Sequence, residues 1–201
     1  MSELSPGRAD PHSEKSGVMI VVVGPSGAGK DTLMGFAAAR LGQQQRIHFA
    51  QRVITRHRDA GGEDHAAVTQ AEFDRRLAEG DFCVSWQAHG LSYAIPATVQ
   101  ARLRDGDIVV VNGSRSALPL FRQAFAKLKV VNVVATPDVL TARLEARGRE
   151  SLDDIVLRLQ RSSLEVCGEF DVTTIDNSGA LELSGAIFAD FLRDQLASQS
   201  R

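Results

Sequence analysis

Residues 24–30, Gly-Pro-Ser-Gly-Ala-Gly-Lys, have the composition and spacing of a phosphate-binding loop. Their glycines let the backbone turn tightly and direct N–H groups at phosphate oxygens, while the final lysine reaches the β- and γ-phosphates. Such a loop needs a buried strand before it and a helix after it, and the chain supplies a β-branched run over 18–23 and helix-forming residues over 31–40. The residues expected to contact the phosphates of a nucleotide are Gly24, Pro25, Ser26, Gly27, Ala28, Gly29 and Lys30.

The two residues after the loop lysine are at positions that could bind a metal ion. P-loops commonly place there a Ser or Thr whose hydroxyl binds Mg²⁺, whereas this chain has Asp31 followed by Thr32. A carboxylate is also a suitable oxygen ligand for Mg²⁺, but an acid in the first turn of a helix is favourable on electrostatic grounds alone. Asp31 and Thr32 are therefore the candidate metal ligands, with helix stabilisation as the alternative role for Asp31.

Arginines in two places could bind further phosphate groups. Arg56 lies in a basic loop after a predicted strand, where parallel sheets bind ligands, although a solvated surface loop would look the same. Arg143 and Arg147 are four residues apart on one predicted helix, Gly148 ends it, and Arg158 lies on the next. We interpret these helices as a lid that brings arginines to a transferring phosphoryl group. Two exposed helices with intrahelical ion pairs are the alternative.

Asn112 ends a second buried strand, at a position where P-loop enzymes often carry a carboxylate. Its amide could hold a substrate hydroxyl, or it could cap the next turn. If this strand end carries no acid, Asp31 becomes more important as a candidate Mg²⁺ ligand. Trp86 and Tyr93 flank a Gly-containing turn nearby in sequence, and we expect Trp86 to pack in the core.

Strands and helices alternate along the chain, which predicts an α/β fold with a parallel sheet covered by helices on both faces. The predicted strands after the first cover 47–54, 82–87, 107–112, 130–135 and 172–175. The predicted helices cover 30–41, 69–77, 96–103, 118–125, 137–147, 152–166 and 181–196.

The chain length and the net charge limit the classes of function that the protein can have. The 201 residues fit one domain, and a net charge of −2 gives no reason to expect nucleic acid or an anionic membrane as a partner. Residues 1–17 are polar, without the apolar segment of a signal peptide, so we expect a disordered N-terminal tail and a cytoplasmic protein. Cys83 and Cys167 lack metal-ligand spacing, and both are expected to be buried as small apolar residues.

Several motifs together resemble the guanylate-kinase family of P-loop proteins over residues 18–196. The matching residues are the loop itself, Thr55-Arg56, Ser85-Trp86, His89-Gly90, Arg143 to Gly148 and Asp176-Asn177. The resemblance implies a P-loop core, a substrate-binding segment over about 52–95, a lid over about 138–168, and a place for Asn177 near the adenine of ATP. It leaves a homodimer open.

The departures from guanylate kinases are equally informative. No tyrosine follows Glu63-Asp64-His65, and the strand that carries guanine-reading acids in that family ends here in Asn112-Gly113-Ser114-Arg115. A guanine would leave its N–H donors unpaired, which is costly in a buried site. These variant motifs, with Gly29-Lys30-Asp31-Thr32 and Arg147 to Glu150, resemble a narrower branch, the ribose 1,5-bisphosphate phosphokinases of bacterial phosphonate degradation.

That narrower resemblance implies an ATP- and Mg²⁺-dependent kinase that converts ribose 1,5-bisphosphate into 5-phosphoribosyl 1-diphosphate. Lys30, Arg143, Arg147 and Arg158 are then the candidate catalytic residues. The candidates for binding the phosphorylated sugar are Arg52, Arg56, Glu63, His65, Asn112 and Arg115. A guanylate-type nucleoside monophosphate kinase is the first alternative, and a non-catalytic module that binds protein partners is the second.

Overall fold

A five-stranded parallel sheet forms the centre of the computed structural model, which describes residues 17–42, 44–55, 65–146, 148 and 165–199. The strands are β1 (Val18–Val23), β2 (Ile47–Ala50), β7 (Ile108–Asn112), β8 (Leu128–Val134) and β9 (Val172–Asp176), in the order β2-β7-β1-β8-β9. β1 and β7 are buried along their whole lengths, as expected for β-branched runs covered on both faces. The predicted parallel α/β fold is confirmed.

Helices cover both faces of this sheet. On one face lie α1 (Lys30–Leu41) and the closing helix α6 (Leu181–Ser198), which pack against each other. A Cβ atom at Gly185 of α6 would lie only 2.3 Å from Phe36 Cδ1, so a glycine at 185 permits this close approach. Residues of α3 (Val99–Arg104) and α4 (Leu118–Ala124) join the hydrophobic cluster on the other face.

A second, four-stranded sheet lies beside the central one. Its strands are β3 (Val53–Ile54), β4 (Ala66–Ala67), β5 (Phe82–Ala88) and β6 (Leu91–Pro96), in the order β4-β3-β6-β5. β6 runs antiparallel to both of its neighbours, whereas β3 and β4 are parallel. Phe73 of α2 (Gln70–Ala78) covers one face of this sheet, and Ile54, Trp86 and Tyr93 on the other face join the cluster that contains α4.

The small sheet corrects two predictions. Residues 47–54 do not form one strand, because the chain leaves the central sheet after Ala50 and enters the small sheet at Val53. Residues 91–96 form a strand that the sequence analysis did not identify, and the helix predicted at 96–103 begins only at Val99. The first error arises because hydrophobic periodicity indicates that a segment is extended or helical but not which sheet it joins. The second arises because Leu91–Pro96 is buried on both faces and shows little polar alternation.

Most local signals were correct. α1 has the predicted bounds, and Thr69 caps α2 by accepting a hydrogen bond from the Glu72 N–H at 3.2 Å. Cys167 is exposed and Cys83 is only partly buried, so the prediction of two buried cysteines was wrong. The helix predicted over 152–166 lies almost wholly outside the described residues. None of the helices in the described ranges combines the length and apolar character needed to cross a membrane.

Candidate functional site

The P-loop joins the carboxyl end of β1 to the start of α1. Gly24 and Gly29 have φ values of 148° and 84°, which L side chains rarely adopt. A Cβ atom would also meet the Val133 carbonyl oxygen at 2.1 Å from position 24, and Asn177 Nδ2 at 2.6 Å from position 29. Both glycines are therefore required by backbone conformation and by close neighbours.

Lys30 is the first residue of α1, and its side chain folds over the loop. Its Nζ donates hydrogen bonds to the carbonyl oxygens of Gly24 at 2.9 Å and Pro25 at 3.0 Å. The cation is thus held at the loop itself, beside the start of α1, where the helix dipole favours an anion.

Arg143 and Asn177 bind the P-loop from two later parts of the chain. Asn177, which follows β9 and is 3% exposed, donates from Nδ2 to the Ala28 carbonyl oxygen at 2.7 Å. The hydroxyl of Ser184 on α6 donates to Asn177 Oδ1 at 2.7 Å and so fixes the orientation of the amide. Arg143 on α5 (Pro137–Ala146) donates to the carbonyl oxygens of Asn177 at 2.9 Å and Ala28 at 3.4 Å.

A cavity of about 290 Å³ lies against this junction. Thr32 contributes to its wall together with Arg143 and Asn177. The complete lining consists of Gly27, Gly29, Thr32, Arg143, Ala146, Asn177 and Leu181. The cavity combines apolar surface with a guanidinium and an amide at the end of the phosphate loop, which is the character of a small-molecule site.

Asp31 lies on a different side of α1 from this cavity and contacts the end of β7. Asn112 Nδ2 donates to Asp31 Oδ1 at 2.5 Å. Asn112 is 3% exposed, and its Oδ1 atom has no hydrogen-bond partner among the described residues. In the described ranges no three His, Cys, Asp or Glu side chains are grouped to hold a metal ion. Any Mg²⁺ here would therefore depend on phosphate oxygens with one or two protein groups, as is usual for Mg²⁺.

The inner face of the small sheet, the face toward α4, carries a buried cation. Arg52 is 9% exposed, and its guanidinium carbon lies 5.4 Å from the centre of the Tyr93 ring. Tyr93 stacks on Trp86 with ring centroids 5.4 Å apart and planes within 9°, and Trp86 in turn contacts Phe121 of α4. This aromatic stack holds a flat surface beneath the guanidinium, which is a favourable cation–π arrangement.

The remaining candidates for binding the acceptor are only partly described. His65 is buried, and alternation along β4 assigns it to the same face as Arg52. Arg115 begins a single 3₁₀ turn (Arg115–Ala117) after β7, and burial lowers the pKa of its guanidinium, with the Cys167 thiol acting in the opposite direction. Arg56, Glu63, Arg147 and Arg158 lie outside the described residues.

Sequence analysis missed part of this site. Ser184 lies within a predicted amphipathic helix and has no motif of its own, yet it orients Asn177. The sequence places Tyr93 only beside a turn, whereas its position beneath Arg52 depends on the strand β6, which the sequence did not predict. Leu91–Pro96 is buried at four successive positions and therefore lacks the polar alternation by which a half-buried strand is recognised.

Comparison with known proteins extends these observations. Residues 20–160 match the family model described as "AAA domain". The chain is 61% identical over 180 residues to ribose 1,5-bisphosphate phosphokinase PhnN of Agrobacterium fabrum, covering 90% of this chain and 98% of that protein. It is 55% identical to the protein of the same name from Rhizobium etli, covering 86% and 89% of the two chains.

Solved structures agree on the fold. Guanylate kinase from Anaplasma phagocytophilum has a TM-score of 0.66 at 18% identity, covering 94% of this chain and 89% of that one. A putative kinase from Chloroflexus aurantiacus has a TM-score of 0.53 at 17% identity, covering 92% and 98%. At such low identities these likenesses describe the fold alone, whereas the sequence matches extend over nearly the whole chain. This chain belongs to the ribose 1,5-bisphosphate phosphokinase family, built on a P-loop fold similar to that of guanylate kinase.

Proposed function

We propose that this protein transfers the γ-phosphoryl group of ATP to the 1-phosphate of ribose 1,5-bisphosphate, giving ADP and 5-phosphoribosyl 1-diphosphate. In this reaction an oxygen of the 1-phosphate forms a bond to the γ-phosphorus while the bond from that phosphorus to the bridging oxygen of ADP breaks. The assignment is supported by the near-full-length relatives that carry this activity in their names.

The nucleotide side of the site is supported by the P-loop and the cavity beside it. In this proposal residues 24–30 and Lys30 hold the β- and γ-phosphates, and Lys30 exchanges its carbonyl partners for phosphate oxygens. Thr32, Arg143 and Asn177 line the cavity that would receive the adenosine part of ATP. Arg143, fixed at Ala28, would then act on the nucleotide from the loop side.

Mg²⁺ fits the oxygen groups next to Lys30, because the Asp31 carboxylate is the kind of ligand it prefers and the unpartnered Asn112 Oδ1 beside it could accept a hydrogen bond from water on the metal. When bound, it would neutralise charge on the β- and γ-phosphates. Of the two metal ligands proposed from the sequence, Asp31 and Thr32, Thr32 is the less suitable, since it lines the cavity proposed for the adenosine of ATP.

The acceptor is chosen from the charge of the surface proposed to bind it. Among the described residues, the inner face of the small sheet contributes Arg52 and His65, and the end of β7 contributes Asn112 and Arg115. The carboxylate that meets the end of β7 is that of Asp31, which already accepts a hydrogen bond from Asn112. A sugar with two phosphate groups needs cations and a few hydrogen-bonding groups. A guanine base needs acceptors for its N–H groups, and the Asp31 carboxylate beside Asn112 is already engaged by that amide.

A phosphate acceptor is already ionised, so the reaction needs no strong general base. Catalysis then consists of holding two polyanions in line and neutralising their charge, which is what cations on both sides of a P-loop can do. Lys30 and Arg143 would act from the nucleotide side and Arg52 and Arg115 from the acceptor side. Arg56, Glu63, Arg147 and Arg158 keep their proposed roles from sequence alone.

The test measures ADP release from MgATP with ribose 1,5-bisphosphate and, in parallel, with GMP, and identifies the product by ³¹P NMR. We expect turnover of the sugar with formation of a diphosphate at C1. Lys30→Ala should abolish transfer, whereas Lys127→Ala, which removes an exposed lysine far along the chain, should leave it unchanged.

Turnover of GMP alone would replace the sugar by a nucleoside monophosphate as the acceptor. Binding of a protein partner without ATP hydrolysis or transfer would instead indicate a non-catalytic module. Full activity of Lys30→Ala would refute the assignment of the P-loop itself.

A further inference from the structure

The contact between α1 and the end of β7 has the residue types of a common P-loop metal site in exchanged positions. In other P-loop enzymes Mg²⁺ is held by a Ser or Thr hydroxyl on the helix after the loop and by an Asp on a neighbouring strand. Here the helix carries the carboxylate, Asp31, and the strand β7 next to β1 carries the neutral amide, Asn112. The two side chains are joined directly, by the 2.5 Å hydrogen bond.

The direction of this hydrogen bond follows from the chemistry of the pair. An ionised carboxylate has no hydrogen to donate, so the amide must present its NH₂ group to Asp31. That orientation leaves Asn112 Oδ1 buried and without a partner among the described residues. A buried acceptor that lacks a hydrogen bond destabilises a protein and is therefore rare, unless a ligand supplies the missing donor.

We propose that Asp31 and Asn112 have exchanged the roles of the helix hydroxyl and strand acid. Asp31 supplies the single carboxylate of the Mg²⁺ site. Asn112 is a positioning residue that fixes the rotamer of Asp31 through its NH₂ group and accepts a hydrogen bond at Oδ1 from a donor of the loaded site, such as water on the metal. This inference rests on the proposed ATP-dependent transfer and specifies how that site binds its metal.

The positions of the neighbouring residues separate Asp31 from two simpler explanations. Thr32, the other hydroxyl or acid candidate, lines the cavity with Arg143 and Asn177 and so points away from β7. A role for Asp31 only as a favourable first-turn acid would not need a buried partner. Asn112 is 3% exposed and lies 81 residues from Asp31 in sequence, and its contact restrains a side chain that is otherwise exposed.

The test uses Mn²⁺ in place of Mg²⁺, because free Mn²⁺ is measured directly by electron paramagnetic resonance. Mn²⁺ is titrated into the full chain with a non-hydrolysable ATP analogue, for wild type, Asp31→Ser, Asn112→Asp and the double variant. Asp31→Ser should weaken Mn²⁺ binding by about 10- to 100-fold, the usual effect of losing a metal ligand or its support. In the Asn112→Asp background the factor by which Asp31→Ser weakens Mn²⁺ binding should be at least about tenfold smaller, because that double variant restores the common hydroxyl-and-acid arrangement.

Three controls keep the result specific. Asp31→Asn is nearly isosteric, so a loss of Mn²⁺ affinity with an unchanged melting temperature reports the carboxylate and not the fold. Asp138→Ser removes another exposed first-turn acid, that of α5, and should leave Mn²⁺ affinity unchanged. Asn112→Leu keeps the side-chain volume and should weaken Mn²⁺ binding while leaving metal-free binding of the analogue unaltered.

The inference would be overturned by wild-type Mn²⁺ affinity in Asp31→Ser, or by an equal loss from that change in both backgrounds. An equal loss in Asp138→Ser would assign the effect to the loss of negative charge in general and so overturn a specific role of Asp31. The titration contains no sugar, so an incorrect acceptor assignment leaves its outcome untouched. Turnover of ribose 1,5-bisphosphate by an Asp31→Ser variant with normal Mn²⁺ affinity would refute this inference while leaving the proposed function intact.

Discussion

Asn177 joins three separate parts of the fold at the P-loop, and its removal allows a quantitative prediction. The side chain is 3% exposed, donates to the Ala28 carbonyl oxygen at 2.7 Å and accepts from the Ser184 hydroxyl at 2.7 Å. Asn177→Ala removes both hydrogen bonds. The contact of Arg143 with this residue survives, because it is made to the backbone carbonyl of residue 177.

The expected loss of stability depends on whether the Ser184 hydroxyl and the Ala28 carbonyl find other hydrogen-bond partners. Without Asn177 the Ser184 hydroxyl can donate instead to the Leu181 carbonyl oxygen, which lies 3.3 Å away, and the Ala28 carbonyl still accepts from Arg143 at 3.4 Å, so neither group is left wholly unsatisfied. The loss is therefore close to that of two ordinary hydrogen bonds, about 2 kcal/mol in the free energy of unfolding. For a chain of this size that corresponds to a fall in Tm of about 4–8 °C.

Urea denaturation, followed by circular dichroism and by the fluorescence of Trp86, measures this change. The m-value should stay constant, so that a shift in midpoint reports stability. Gln100→Ala is the control, since it deletes an exposed amide on α3 and should change the free energy of unfolding by about 0.5 kcal/mol or less. A double-mutant cycle with Ser184→Ala should give a coupling of about 1 kcal/mol.

The same variant separates a structural from a functional role for Asn177. Because its amide fixes the Ala28 carbonyl, Asn177→Ala should weaken binding of the ATP analogue as well as the fold. An unchanged urea midpoint would refute the reasoning from the two hydrogen bonds. Weakened binding of the analogue together with an unchanged midpoint would mean that Asn177 acts only through contact with the nucleotide.

Three other predictions concern the acceptor side and the cysteines. Arg52→Met should raise KM for ribose 1,5-bisphosphate by about 10- to 100-fold and leave KM for ATP unchanged, because hydrogen bonds to charged groups are worth about 1.5–3 kcal/mol. Steady-state kinetics measures both values, and a rise of both KM values together would contradict this prediction. Burial raises the pKa of Cys83 to about 11, so at pH 8 a thiol reagent should label the exposed Cys167 in a fast phase and Cys83 much more slowly, and Cys167→Ser should remove the fast phase. Because the pKa of Cys83 is raised on folding, its contribution to stability is complete below about pH 8.5 and is lost as the pH rises toward 11, which urea midpoints at several pH values would reveal.

Local features of this protein were predictable because their causes lie within a few residues. The β-branched run before Gly24 and the helix after Lys30 follow from composition and spacing, as does the Thr69 cap of α2. The strand β6 was missed because Leu91–Pro96 is largely buried on both faces of its sheet and shows little polar alternation. Without β6, the position of Tyr93 beneath Arg52 could not be anticipated.

The sequence alone determined the phosphate loop, the parallel α/β class and the kind of chemistry that the chain supports, because each depends on contiguous residues. Only the tertiary structure decided which distant groups meet at that loop. Asn112 reaches Asp31 across 81 residues, and Asn177 reaches Ala28 across 149. These contacts depend on the strand order β2-β7-β1-β8-β9, which brings the ends of β7 and β9 to the same edge as the loop. Strand order arises from the packing of whole elements against one another, and no local pattern of residues encodes it.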